Sequence, residues 1–135
     1  MTKVFVDSDG FVALTKEDDA NHTKALRLLE QTFKENPMFL TSNYVFSEVV
    51  TVLSQRVSHQ AALQFIQTVK SSSGYTIVWV DEDIEAEAIN IFSSQLSKNT
   101  SFVDCTNMAI MKRENIDTIF SFDEVYKKNG FKLLW

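Results

Sequence analysis

Four short apolar runs set the frame of this chain: Val4–Phe5–Val6, Met38–Phe39–Leu40, Thr76–Ile77–Val78–Trp79–Val80 and Thr118–Ile119–Phe120–Ser121. Each has the length and continuous apolar character of a strand buried on both faces. Between them lie stretches long enough for helices. Strands alternating with helices predict an α/β fold, a three-layer α/β/α sandwich with a central, mostly parallel sheet. A further strand is expected around Phe131, Leu133 and Leu134.

The intervening stretches carry helical periodicity. Residues 11–16 form a short helix after a turn at Ser8–Asp9–Gly10. In residues 21–36, Ala25, Leu28, Leu29, Thr32 and Phe33 share a face; Asp18 and Asp19 are candidate caps, and Pro37 ends the helix. Residues 43–57 align Val45, Val49, Val52 and Leu53, and residues 58–70 form the next helix. Ser71–Ser72–Ser73–Gly74 is a loop. Residues 81–98 turn Ile84, Ala88, Ile91, Phe92 and Gln95 inward, and residues 102–114 form another helix. With 135 residues and no repeat, linker or low-complexity segment, one domain over residues 1–135 is expected. Trp79, Trp135 and eleven phenylalanines are ample for its core.

Composition removes several chemistries. Only three glycines are present, and neither GxGxxG nor GxxxxGK[ST] occurs. His22 and His59 are too far apart for an HExxH site. Cys105 is the sole cysteine, so neither an internal disulfide nor a CxxC metal site can form. No signal peptide is visible at Met1–Thr2–Lys3, and no apolar run could span a bilayer; a reducing cytoplasm is the expected setting. Net charge is 13 − 18 = −5, with a pI near 5.0. A broad basic face for a phosphate backbone is therefore absent, and a nucleic-acid partner requires counter-ions that reverse the field locally.

In parallel α/β sheets, ligand chemistry gathers beyond the carboxyl ends of the strands. Asp7 follows the first strand directly, and Asp123 follows the strand at residues 118–121. Asp104 opens the helix before that strand. Each has a structural alternative: Asp7 and Asp123 as helix caps, Asp104 in a capping box with Ser101. Asp81, with Glu82, Asp83 and Glu85, reads as an acidic first turn complementing the helix dipole. Glu48 is less easily absorbed. It lies three residues from Val45 and one turn from Val52, on an apolar stripe where a carboxylate loses hydration.

The fold is expected to bring Asp7, Glu48, Asp104 and Asp123 to one end of the sheet. Two unit charges about 4 Å apart repel by ~4 kcal/mol at an effective dielectric of ~20. Four carboxylates there need compensation, and no basic residue is adjacent in sequence. Oxygen-rich, histidine-poor sites suit Mg²⁺ or Mn²⁺. Bound cations would also make the pocket attractive to phosphate.

Four motifs in order carry a resemblance. Val4–Phe5–Val6–Asp7–Ser8 with Asp19–Ala20–Asn21–His22 and Ala25 resembles the opening of PIN-domain ribonucleases. Ser42–Asn43–Tyr44–Val45 ahead of Glu48 resembles their second motif, Ser101–Phe102–Val103–Asp104 their third, and Ile119–Phe120–Ser121–Phe122–Asp123 before Gly130–Phe131 their fourth. A single domain of this length is similar to the VapC-type toxins of toxin–antitoxin pairs. The resemblance implies a metal-dependent endoribonuclease whose catalytic and metal-site acids are Asp7, Glu48, Asp104 and Asp123. Asp7 and Asp104 would be the main ligands of Mg²⁺ or Mn²⁺, which activates a water for in-line attack on phosphorus. It also implies an RNA substrate, a cognate antitoxin and a homodimer. Asp9 departs from the small polar residue usual there, and is either a further acid in the site or a turn residue. Asn107, one turn after Asp104, is a candidate for orienting a ligand or a water. Lys112, Arg113, Lys127 and Lys128 are candidates for guiding RNA, with solubilising surface charge as the alternative.

Other readings compete. Asp7–Ser8–Asp9–Gly10 resembles the DxDG opening of haloacid-dehalogenase-type phosphohydrolases, with Asp7 as nucleophile and Asp9 as general acid/base. That reading lacks a later acidic motif and leaves Glu48 unexplained. A catalytically inactive PIN-type binding module and a receiver-like signalling domain are the remaining alternatives.

Overall fold

The structure is a computed structural model and describes residues 2–134; Met1 and the expected core aromatic Trp135 lie outside them. Strands β1 (Lys3–Val6), β2 (Met38–Ser42), β3 (Tyr75–Val78), β4 (Thr118–Phe120) and β5 (Lys132–Leu133) form one sheet in the order β3-β2-β1-β4-β5. Every pairing is parallel. Phe5 pairs with Leu40 on one side and Ile119 on the other, so β1 is the central strand.

Helices α1 (Ser8–Thr15) and α2 (His22–Phe33) connect β1 to β2, and α3 (Asn43–Arg56) and α4 (His59–Ser71) connect β2 to β3. Both connections step outward in one direction, so right-handed crossovers put these helices on one face. Helices α5 (Glu82–Ser93) and α6 (Phe102–Arg113) cross back from β3 to β4, which places them on the opposite face. Short α7 (Val125–Lys128) leads from β4 to β5. The three layers meet in a core that includes Val4, Phe5, Phe39, Val45, Val49, Leu53, Ile84, Ala88, Ile110 and Ile119. The strand order reverses between β1 and β4, and a crevice is expected at their carboxyl ends.

Several local expectations change. Ser8, Asp9 and Gly10 form the first turn of α1 rather than a turn before it, because Asp7 caps the helix by accepting the Ser8 N–H at 2.8 Å. Gly10 is needed for proximity: a Cβ there would lie 2.7 Å from both the Phe120 ring and the Phe120 carbonyl. Helix α2 stops at Phe33, ahead of Pro37, and Asn36 adopts a left-handed φ of 51° on the way into β2. Asn21, not an aspartate, occupies its N-cap; Asp19 instead accepts the Asn21 N–H.

Helix α5 ends at Ser93, short of residue 98. The Ser94 hydroxyl donates to the Ile91 carbonyl at 2.8 Å, closing the helix, and Gln95 is half-buried beyond it. Phe33, Trp79 and Phe92, expected to face inward or add to the core, are exposed. Phe33 and Phe92 rest edge-on against Phe39 and Phe102. Among the described residues no helix is long and apolar enough to cross a membrane.

Candidate active site

Beyond the carboxyl ends of β1 and β4, carboxyl groups are bound into one largely buried hydrogen-bond network. Asp7 leaves the end of β1, its N–H donating to the Phe120 carbonyl at 3.1 Å, and its side chain is buried. Its Oδ1 accepts from the Ser8 N–H at 2.8 Å and from Asn107 Nδ2 at 3.1 Å. Its Oδ2 lies 2.9 Å from the Tyr126 hydroxyl and 3.1 Å from the Ser121 hydroxyl.

Asp104 enters from α6. The capping box expected with Ser101 is present: Asp104 Oδ2 accepts the Ser101 N–H at 2.9 Å, and Ser101 Oγ accepts the Asp104 N–H at 3.0 Å. The other oxygen, Oδ1, meets the Tyr126 hydroxyl at 3.0 Å. Structural and functional readings of Asp104 are thus compatible, each using one oxygen.

Tyr126, which sequence reasoning missed, joins the two acids. It is fully buried, and its oxygen also accepts from Asn107 Nδ2 at 2.9 Å. A phenol has one proton, and two carboxyl groups lie within its reach. All contacts are satisfied when Asp7 is protonated and donates to the phenol while the phenol donates to Asp104. The electrostatics agree: burial, then the charge of Asp9 and that of Asp104, push Asp7 up to about 7 despite the bond from Ser8. Burial and the two neighbouring aspartates raise Tyr126 well above the usual phenol range, so it keeps its proton.

Asp9 joins this group. Its Oδ2 accepts from the Phe122 N–H at 2.9 Å and from Ser121 Oγ at 3.3 Å, tying α1 to the end of β4. Burial pushes Asp9 up to about 6, partly offset by the Phe122 bond, with a smaller upward push from Asp123. Asp123 is exposed after β4; its N–H donates to Ser121 Oγ, and its Oδ1 accepts from the Val125 N–H at 3.0 Å, an Asx turn into α7.

Glu48 differs from expectation. It is exposed on α3, whose buried positions are Val45, Val49 and Leu53. These recur every four residues, so Glu48 flanks the stripe, and its long side chain can reach water. Among the described residues, no three His, Cys, Asp or Glu side chains converge as a ready cation cage. The tight cluster is Asp7, Asp9 and Asp104 with Ser121, Asn107 and Tyr126.

Two observations bear on a cation. Asp9 Oδ1 and Asn107 Oδ1 are buried without a hydrogen-bond partner, a costly state for carbonyl and carboxyl oxygens. The donors are all oxygen, the class that Mg²⁺ and Mn²⁺ prefer. The type of these oxygens suits a hard divalent cation, and Asp7 and Asp104 are the two acids that meet at the Tyr126 hydroxyl.

The candidate basic residues separate. Arg113 pairs with Asp81 at 3.2 Å, at the end of α6 with Lys112, eight and nine residues beyond Asp104. Asp81 caps α5 by accepting the Ile84 N–H, one position ahead of the acidic first turn formed by Glu82, Asp83 and Glu85. Lys127 and Lys128 are exposed on α7, a few residues after Asp123.

An all-parallel five-stranded sheet in the order 3-2-1-4-5, with acids at the β1/β4 crevice, defines a class, and sequence comparison agrees: the PIN domain family profile matches residues 4–132, and the chain belongs to that family. Among its curated relatives is the 23S rRNA-specific endonuclease VapC20 of Mycobacterium tuberculosis, found in strains CDC 1551 / Oshkosh and H37Rv. It is 31% identical over 128 residues, covering 95% of this chain and 95% of the relative. The crystal structure of Mycobacterium tuberculosis VapC20, described as a Sarcin-Ricin loop cleaving toxin, superposes with a TM-score of 0.84 at 30% identity over 95% of each chain.

Proposed function

We propose that this chain is an endoribonuclease and the toxin of a toxin–antitoxin pair, hydrolysing RNA phosphodiester bonds with Mg²⁺ or Mn²⁺. The observation that carries the reading is the buried Asp7–Tyr126–Asp104 bridge, with Asp9 beside it, at the β1/β4 crevice. The similarity to VapC20, an RNA-cleaving toxin, supports the substrate class and makes 23S rRNA the first RNA to test.

Asp7 and Asp104 would hold the cation, with Asn107 Oδ1 within the same cluster and Asp123 as an acid at its margin. When bound, the cation supplies Lewis-acid stabilisation of the phosphate and a water of lowered pKa. The chain's own groups do the rest. Asn107 fixes the Asp7 carboxyl through Oδ1, and Tyr126 fixes the facing oxygens of Asp7 and Asp104. Asp7 holds a proton while the site carries no cation, and would release it to solvent on taking one up. Asp9 holds the β4 end in place through Phe122. Lys127 and Lys128 guide the RNA backbone along α7. A cognate antitoxin, a homodimer and a cytoplasmic setting complete the proposal.

The test is incubation of wild type and Asp104→Asn with 23S rRNA and with other structured RNAs, with Mn²⁺ or with chelator. Cleavage only by wild type with Mn²⁺ supports the proposal, and identical lanes overturn it. A covalent phosphoaspartate at Asp7 would favour the phosphohydrolase alternative. Metal-independent RNA binding without cleavage would favour the inactive binding module.

A further inference from the structure

We infer that the cleft between residues 94–100 and α7 is a nucleobase subsite beside the scissile phosphate, setting base preference at one position flanking the cut. The inference rests on the ribonuclease reading above. The cleft encloses about 560 Å³, within the range of small-molecule sites. Asp123 lines it, and the Asp123 N–H donates to Ser121 Oγ, which reaches Asp7 and Asp9, so the cleft adjoins the acid cluster.

The wall is polar and fixed. Gln95 and Asn129 face each other in a reciprocal amide pair, Gln95 Nε2 donating to Asn129 Oδ1 at 2.9 Å and Asn129 Nδ2 donating to Gln95 Oε1 at 3.2 Å. Each is anchored again, Gln95 Nε2 on the Ile91 carbonyl and Asn129 Nδ2 on the Val125 carbonyl. The Thr100 hydroxyl also reaches Gln95 Oε1, so the pair cannot rotate freely and holds one open acceptor position, on Asn129 Oδ1, in place before any ligand arrives.

Charge decides what enters. The charged lining groups are Asp123, Glu124 and Lys128, two carboxylates against one ammonium. A phosphate is repelled by that balance, whereas an uncharged, hydrogen-bonding base is not. Leu96, at the rim, is wholly exposed, and Val125 adds apolar surface from α7. A flat base would cover both while its edge meets amide, hydroxyl and carboxylate groups, the manner in which unstacked RNA bases are recognised.

The test compares wild type with an Asn99→Ala/Glu124→Ala double variant on a random-sequence RNA pool with Mn²⁺, sequencing the cut ends. Both residues line the cleft and are exposed, so their removal leaves the core untouched. The expected result is a base preference at one flanking position in wild type, reduced about tenfold in the variant, the scale of one lost polar base contact. Wild-type cleavage without base preference there, or a preference unchanged in the variant, overturns the subsite and leaves the nuclease reading standing. If wild type cuts nothing, metal-free titration of fluorescent homopolymeric RNA hexamers into Asp104→Asn, with and without the double variant, decides. Base-dependent affinity lost in the double variant supports the subsite even as the nuclease reading falls; base-independent affinity or no binding overturns it.

Discussion

The Tyr126 hydroxyl lies 2.9 Å from Asp7 Oδ2, joining two residues 119 positions apart in the chain. The same oxygen reaches Asp104 at 3.0 Å, so one neutral group separates two acids that would otherwise repel. Replacing it tests this arrangement. Tyr126→Phe keeps the ring and removes the hydroxyl, leaving buried carboxyl oxygens and an Asn107 N–H short of a partner. The expected loss is about 1–3 kcal/mol of stability in metal-free protein at pH 5, measured by urea unfolding. A variant as stable as wild type would mean the bridge contributes nothing.

Metal-free stability should fall as pH rises. Asp7 is raised from 3.8 to about 7 and Asp9 from 3.8 to about 6. Folded protein therefore holds protons that the unfolded chain releases near pH 4, and the stabilisation, full below that pH, is lost as pH climbs through 6 and 7. A tenfold difference in proton affinity between the two states is worth about 1.4 kcal/mol, so a decline of a few kcal/mol between pH 4 and 7 is expected in chelator. Added Mn²⁺ should flatten the slope, because a cation replaces the bound protons. Chemical unfolding across pH, with and without Mn²⁺, is the measurement; a rising slope in chelator would contradict the network.

Asp104→Asn should separate the two duties of that side chain. An amide oxygen can still accept the Ser101 N–H, so the helix cap survives, while the negative charge at the crevice is gone. Cleavage should drop by about a hundredfold or more, the scale of removing one electrostatic catalytic group, with circular dichroism unchanged. Retained cleavage would remove Asp104 from the site.

At Asp9 two substitutions should part company. Asp9→Asn keeps an acceptor for the Phe122 N–H and removes a charge from a crowded crevice. Asp9→Ala leaves that N–H without its acceptor, at a cost of about 1–3 kcal/mol. Thermal melts at pH 7.5 should therefore rank Asn above Ala; equal melting would show that the tie is idle.

Gly10→Ala tests close approach in the same region. Its Cβ would stand 2.7 Å from the backbone oxygen of Phe120, which cannot swing aside. A loss of about 1–3 kcal/mol is expected, as for other overpacked cores. The melting temperature of the variant reads it directly.

Much of this architecture is legible in the chain. Four strands declare themselves because each is a short apolar run, and a parallel sheet covered on both faces needs such runs. Asp7, Asp104 and Asp123 stand out because strand ends and capping boxes have local signatures. Glu48 reads as part of a buried stripe because periodicity alone does not separate the centre of a helical face from its flank; Val45, Val49 and Leu53 occupy the centre. Gly10 looks like a turn residue because its reason lies on another strand, at Phe120. Tyr126 carries no local signature. Its role arises from contacts with residues 19, 22 and 119 positions away, and the one available hint is a tyrosine three residues after an acidic turn.

Asp7 comes from the start of the chain, while Asp104, Asn107, Ser121 and Tyr126 all come from its last third. A ribosome making this protein produces one half of the crevice long before the other. Until synthesis has passed Tyr126 and β4 has docked beside β1, the Asp7 side chain has only its neighbour Ser8 as a partner, and the acid cluster does not yet exist.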